Sequence, residues 1–457
     1  MKTKDKHKIG SSKRRTTGVI AIGFLLIILI GAILLMLPIS SRDRTFTNPI
    51  DAAFTAVSAT CVTGLVTVDT ATQWSMFGQI VILIMIQTGG LGFMSIAILM
   101  SLIIKRSVTP RERMLLAMSY NLDSYDNTGV LIKRIGIGTL CIEGAGALIL
   151  STRFIPLFGV GDGIFKSIFH AVSAFCNAGF DLMGGYSGRF SSLTAFVDDP
   201  TVNVTIMLLI IIGGIGFIVW NDIANAITKS KRLSVYSRFV LIVTSILLLG
   251  GTLFFAMLEW NNPETLGDLP AGSKLLAAAF QSVTLRTAGF NTISQAGMTP
   301  SSQLLSMLLM FIGGASGSTA GGVKVATIGV LIYSVWCNAI GQKETVLFHR
   351  KITSDHFIRA VSVIVVQLTL VLVGVVSVSA LSGFDIMSTA YEVVSATGTV
   401  GITLGITTGL DIPSRFIIMA LMYLGRVGTL TVTYAVMLNM RDSRSIISYP
   451  DANMLIG

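Results

Sequence analysis

Long apolar runs broken by short polar connections make up most of the chain. Runs near residues 19–39, 79–104, 131–152, 203–227, 237–258, 304–336, 357–381 and 415–438 each reach the roughly 20 residues a helix needs to cross a hydrocarbon core. Between them lie four shorter apolar stretches of about 12 residues, such as Pro49 to Thr60 and Leu275 to Leu285, a length suited to a half-helix that enters and leaves on one face. Each short stretch leads into a variant of one motif: Ser58-Ala-Thr-Cys-Val-Thr-Gly64-Leu65, Ser173-Ala-Phe-Cys-Asn-Ala-Gly179-Phe180, Val283-Thr-Leu-Arg-Thr-Ala-Gly289-Phe290 and Ser395-Ala-Thr-Gly-Thr-Val-Gly401-Ile402. The closing glycines recur at intervals of 115, 110 and 112 residues, and self-similarity at a fixed period marks a repeated architecture. The pattern predicts an all-α membrane protein with eight transmembrane helices in four span-pore loop-span repeats around a pseudo-fourfold central pore. The repeats fall at 16–104, 105–227, 228–337 and 338–440, with cytoplasmic tails at 1–15 and 441–457.

The chemistry of the motif follows from its backbone. A potassium-type filter surrounds a dehydrated cation with four short segments whose carbonyls replace its water. Glycine supplies both the unusual φ/ψ and the missing Cβ that such close approach requires. The candidate filter residues are Val62, Thr63 and Gly64, then Asn177, Ala178 and Gly179, then Thr287, Ala288 and Gly289, and last Thr399, Val400 and Gly401. Potassium is expected at the backbone of the four glycines. Each half-helix would direct the partial negative charge of its C-terminus towards the cavity, which favours a cation.

Composition fits this reading. The 457 residues are 52% hydrophobic and 12% charged, with mean hydropathy +0.77, against roughly 25% charged residues in soluble domains. The net charge of +10 sits in clusters beside apolar runs rather than in an aromatic-interleaved patch, so membrane topology accounts for it and no nucleic-acid partner is expected. The basic stretch 2–15 precedes a first run too long for a signal-peptide core, so a retained span, a cytoplasmic N-terminus and no removed targeting peptide are expected. Placing the motif-bearing segments outside gives them eight Lys/Arg (Arg42, Arg44, Arg153, Lys166, Arg189, Lys274, Arg286 and Arg415) against thirteen Asp/Glu, while the other side holds twenty-three Lys/Arg. That is a consistent positive-inside bias with both termini cytoplasmic. The acidic outer side either concentrates cations at the mouth or is ordinary solvated loop. Cys61, Cys141, Cys176 and Cys337 lack CxxC spacing, so neither a zinc site nor a disulfide framework is indicated. With no Walker A sequence, no HExxH and four scattered histidines, the chain is not expected to be an enzyme.

A second glycine element follows each motif: Gly89-Gly-Leu-Gly92, Gly213-Gly-Ile-Gly216, Gly313-Gly-Ala-Ser316 and Gly425-Arg-Val-Gly428. Small residues let helices approach closely, which is the expected role in the first two repeats. The third and fourth are expected to depart from it. The stretch holding Gly313, Gly314, Ser316, Gly317, Ser318, Gly321 and Gly322 is too rich in glycine to remain a regular helix, and it predicts a flexible break lining the cavity. Arg426 stands inside the last run, where an unpaired cation is costly, so it should face the interior as an electrostatic barrier or an anchor to neighbouring carbonyls. Lys324 reads as a helix-end snorkelling cation and Glu143 as a buried hydrogen-bonded group.

The motifs SATCVTGL, SAFCNAGF, TLRTAGF and SATGTVGIT, the break GGASGSTAGG and Gly425-Arg426 together resemble the Trk/Ktr/HKT superfamily of potassium transporters over nearly the whole chain. The absence of extra N-terminal spans resembles the membrane subunit of bacterial Ktr uptake systems rather than the longer Trk type. The resemblance implies potassium uptake across the bacterial cytoplasmic membrane, often stimulated by sodium, by a homodimer with one pore per protomer. It also implies a cytosolic KtrA-like nucleotide-binding ring beneath the membrane. Basic clusters at Lys105-Arg106, Arg111-Arg113, Lys229-Lys231-Arg232 and Arg350-Lys351 could meet that partner or anionic membrane lipids. No covalently bound cofactor is expected. A proton-coupled secondary cation transporter is the rival reading; it predicts midplane ionisable groups in several spans and repeats of opposite topology, whereas the four repeats here run in one direction.

Overall fold

The computed structural model describes residues 21–92, 128–230, 232–342 and 344–428. The N-terminal basic stretch, the clusters at Lys105-Arg106 and Arg111-Arg113, Lys231 and the C-terminal tail lie outside the described residues, as do the ends of the runs predicted at 79–104 and 415–438.

Helix α1 covers Ala21–Met36. Asn48 then accepts from the Ile50 amide (2.9 Å) ahead of Pro49 and opens α2, Pro49–Cys61. Ser75 caps α3, Met76–Leu91, through the Gly78 amide. A sharp turn at Gly159, with φ +81°, separates α4 (Thr128–Phe158) from α5 (Val160–Phe175). Asp199 before Pro200 caps α6 (Pro200–Gly214), which is followed by α7 (Phe217–Lys229) and α8 (Val235–Glu259). Next come α9 (Ala271–Thr284), α10 (Pro300–Phe311, capped by Thr299) and α11 (Val325–Ala339). The series ends with α12 (Ser354–Ser382), α13 (Ile386–Gly398, capped by Asp385) and α14 (Ile412–Tyr423). A capping side chain just before a first-turn proline is the start signal the sequence carries, and it recurs at α2, α6 and α10.

Among the described residues three segments, Ile132–Phe158, Val235–Glu259 and Ser354–Ser382, are long and apolar enough to cross a membrane, and α6 with α7 does so as a bent pair. The run predicted at 203–227 is therefore not one straight span: it turns by 97° between α6 and α7. Gly216, with φ +92°, makes the turn. The Gly213 and Gly214 carbonyls freed there accept from the Thr319 and Ala315 amides (3.3 and 2.9 Å), which keeps buried backbone satisfied. The run at 304–336 is divided, as its glycines suggest, into α10 and α11 with residues 312–324 between. A small departure from an all-helical chain is the hairpin Val346–Leu347 with Arg350–Lys351.

Packing closes a circle. Each half-helix lies against a long helix of its own repeat: α2 on α3, α5 on α4 and α6, α9 on α8, α13 on α12 and α14. The helix following each motif also reaches the next half-helix, α3 to α5, α6 to α9, α10 to α13 and α14 back to α2. The half-helices end in fully buried residues, among them Ala59, Thr60, Phe175, Thr284, Ser395 and Ala396, while the long helices expose apolar side chains such as Leu249, Leu372 and Val376. That inversion places the polar and irregular backbone at the centre and leaves an apolar girdle outside, as a lipid solvent demands.

Candidate functional site

The four motif glycines meet. A Cβ added at Gly64 would lie 2.5 Å from the Ala178 carbonyl oxygen, one at Gly179 2.8 Å from that of Ala288, and one at Gly289 2.7 Å from that of Val400; at Gly401 it would overlap the Thr63 carbonyl. The order 64, 179, 289, 401 and back to 64 is a closed ring. The carbonyl met each time belongs to the residue just before the next glycine. Four glycines and four carbonyls thus share one constriction, where no side chain fits without displacing a neighbouring backbone.

Two residues before each glycine the chain takes left-handed φ: Val62 (+59°), Asn177 (+58°), Thr287 (+67°) and Thr399 (+52°). Three of these are β-branched, for which that region is strained, at a cost of order 1–3 kcal/mol each. The turn is held by the half-helix below. The Thr63, Ala178 and Val400 amides reach back five residues to the Ser58, Ser173 and Ser395 carbonyls, all at 2.8 Å. The same serine hydroxyls accept from Gly64 (3.0 Å) and Gly401 (3.1 Å) or donate to Phe180 (2.7 Å). These serines open three of the four motif copies, so the signal was visible in the sequence although the role was not. The third copy differs: Ala288 reaches back only four residues, to Thr284, whose hydroxyl donates to the Phe290 carbonyl.

That third copy also corrects the charge count. Arg286 is buried beside Ile210, Thr244, Leu248 and Gly314, and its carbonyl accepts from Asn177 Nδ2 (3.1 Å). It is a group behind the ring, not an outer-loop cation.

Above the ring a vestibule of about 140 Å3 is lined by all four glycines together with Asp69, Asp181, Asn291 and Thr403. Asp69 accepts from the Thr72 and Phe190 amides. Asp181 accepts from the Met183 amide; burial, with the Asp69 charge adding to it, pushes its carboxyl up to about 6.

Below the ring runs the segment between α10 and α11. Its neck is closed by Gly313 N to Val323 O (2.9 Å) and Val325 N to Gly314 O (3.0 Å). Thr319 Oγ1 bonds the Phe175 carbonyl and Asn177 (3.0 and 3.2 Å), and the Gly321 amide donates to Thr287 Oγ1 (3.2 Å). Gly321 sits so close to Thr399 that a Cβ would overlap its hydroxyl. The Ser316 and Gly317 carbonyls accept from Tyr236 and from the Phe217 amide, and Ser318 bonds Ala315. Arg426 Nη1 donates to the Thr319 carbonyl (2.5 Å) and Nη2 to Gly89 and Gly90 (2.7 and 3.3 Å). The glycine-rich stretch is thus a break, as expected, but one tied by hydrogen bonds to segments two and three and through Arg426 to the first repeat. Lys324 does not snorkel; its Nζ donates to the Ala320 and Gly321 carbonyls (2.8 and 3.3 Å). Glu143 is buried and accepts from Gln87 (3.2 Å), as a bundle hydrogen bond should. At the fourth glycine element Gly425 lies on the Thr397 carbonyl as Gly89 lies on Thr60 and Gly213 on Phe175, while the helix there widens into a π turn, Leu424–Gly428, that carries Arg426.

Lipid-compatible helices around a central ring of backbone carbonyls define a helical membrane transporter. The chain belongs to the family described as TrkH, cation transport protein, which residues 2–446 match. It is 42% identical to the Ktr system potassium uptake protein B of Bacillus subtilis and 40% identical to the potassium/sodium uptake protein NtpJ of Enterococcus hirae, each alignment covering 96% of both chains. The crystal structure of the potassium transporter TrkH from Vibrio parahaemolyticus shares the fold, with TM-score 0.67 and 19% identity over 92% of this chain and 84% of that one.

Proposed function

We propose that this chain takes up potassium across the cytoplasmic membrane through the glycine ring, which acts as the selectivity filter. The observation that carries the reading is the closed ring itself, with four glycines and the Thr63, Ala178, Ala288 and Val400 carbonyls, because such oxygens can stand in for the ion's water. The half-helices, their C-termini aimed inward, add a cation-favouring field. The fold is then eight spans in four repeats with the boundaries given above, both termini cytoplasmic. Segment 313–322 and Arg426 form the gate beneath the filter. A KtrA-like nucleotide-binding ring docks on the cytosolic face of a homodimer, where Arg232 and the exposed hairpin residue Arg350 offer contacts. Relatives named for a Ktr system and for potassium/sodium uptake support the partner and sodium stimulation.

Rubidium and sodium fluxes in proteoliposomes test this. Wild-type protein should prefer rubidium, and Gly64→Ser should bring the two fluxes towards equality, because its Cβ enters the Ala178 carbonyl. An unchanged preference in that variant would remove the filter assignment.

A further inference from the structure

A second and larger cavity, about 970 Å3, shares no lining residue with the vestibule. Its walls are the loop after α1, the start of α3 and the turn between α4 and α5, with Gly185 and Tyr186 at one side. Three cations line it, Arg42, Arg44 and Lys166, against one acid, Asp162. Lys166 Nζ lies 3.8 Å from the centroid of Phe158, within cation–π range. Three other basic groups on this side are satisfied: Arg153 pairs with Asp199 (2.6 Å), Arg415 with Asp51 (2.9 Å), and Lys274 donates to the Trp260 carbonyl (2.8 Å). Among the described residues no carboxylate stands within ion-pair distance of Arg42, Arg44 or Lys166, and Arg42 reaches the Ala71 carbonyl only at 3.5 Å.

Apolar rails lead away from this basic pocket. Met76, on its wall, is followed by Ile80 and Ile84 on the same face of α3, with 62%, 38% and 60% of their surface exposed. Ile164 and Ile168, one turn apart on α5, are also exposed and flank Phe165 of the wall. Both helices begin at the pocket, and α5 then descends to the ring. A charged head would therefore sit at the outer end of two stripes that continue into the membrane.

The geometry points to a binding site for one anionic phospholipid of the outer leaflet, its phosphate among Arg42, Arg44 and Lys166 and its acyl chains along α3 and α5. A free phosphate would use the cations and leave the rails without purpose. Basic pockets between membrane helices hold anionic headgroups by this chemistry.

Native mass spectrometry of the full chain, extracted from membranes rich in phosphatidylglycerol, tests the site. Wild-type protein should retain a phosphatidylglycerol that an R42Q/R44Q/K166Q variant loses roughly tenfold or more. Gly185→Trp should lose it too while keeping all three charges, since a Cβ at Gly185 meets nothing within 4 Å and the indole would fill the pocket. Neutral phosphatidylcholine should be retained by none. Equal retention by wild type and both variants would overturn the proposal, as would displacement of the lipid by millimolar inorganic phosphate. Disulfide linking of two Gly185→Cys chains would give the pocket to a second copy and overturn it equally. The lipid readout is independent of flux, so failure here leaves the filter reading untouched.

Discussion

Repeat three and the other repeats treat the same element in opposite ways. In repeats one, two and four the first glycine of the second element, Gly89, Gly213 or Gly425, presses on the carbonyl four residues before the ring glycine, Thr60, Phe175 or Thr397. In repeat three Gly313 meets Gly321 of its own loop instead, because α10 stops at Phe311 and the chain folds back. Three repeats use glycine to bring a helix against the ring's foundation. One uses it to release the backbone, whose groups then bond across to the neighbouring segments. A fourfold sequence pattern has become a scaffold in three quarters and a crossbar in the last.

The comparison is broken most severely by adding a methyl group. Gly89→Ala, Gly213→Ala and Gly425→Ala each drive a Cβ into a backbone carbonyl that cannot swing away, and should cost at least the roughly 1–3 kcal/mol usual for overpacking. A lowered Tm with loss of rubidium flux is expected from thermal unfolding and proteoliposome assays. Gly144→Ala and Gly250→Ala, where a Cβ meets nothing within 4 Å, should leave both unchanged or gain up to about 1 kcal/mol from helix propensity. Equal losses in the two sets would mean the close packing has no special weight.

The crossbar is tested next. Arg426→Ala removes the donors that join Thr319 to Gly89 and Gly90, and Thr319→Val removes the hydroxyl bonds to Phe175 and Asn177. If residues 313–322 obstruct the path, both raise rubidium flux, Arg426→Ala more because charge-assisted bonds contribute about twice as much as neutral ones. Lower flux from protein that melts like wild type would make this segment a support for the pore.

Much of this was legible because it rested on local signals. The half-helices were bounded by length and apolarity. What escaped was set by tertiary demand. Nothing in the propensity of Val62, Thr287 or Thr399 favours left-handed φ; the ring imposes it against their preference. The bend at Gly216 looked like close packing because Gly213-Gly-Ile-Gly216 repeats the spacing of Gly89-Gly-Leu-Gly92, and only the amides of 315 and 319, a hundred residues on, decide that the helix opens there. Arg286 was counted outside for the same reason: its neighbours in sequence line the mouth, whereas its side chain packs behind the ring.

In the vestibule above the ring the repeats differ by single residues, and the expected effect is smaller. Two positions after the ring glycines stand Val66, Asp181, Asn291 and Thr403, so only the second repeat places a carboxyl there. Asp181 lies outside the spans, and burial raises it to about 6. It is therefore charged at pH 7.5 and becomes neutral as pH falls through about 6, which withdraws one negative charge from the vestibule. Rubidium uptake measured from low external concentration should fall by about two- to threefold between pH 7.5 and 5.5, a modest case of field-driven accumulation that added salt should blunt. The stability sign is the reverse: an acid raised on folding is penalised while ionised, so the folded state gains as pH drops from about 6 towards the model-peptide range near 3.9. Asp181→Asn should abolish the pH step and hold flux at the low-pH level, with a Tm that no longer rises on mild acidification. A pH step of full size in Asp181→Asn would assign the titration to another group.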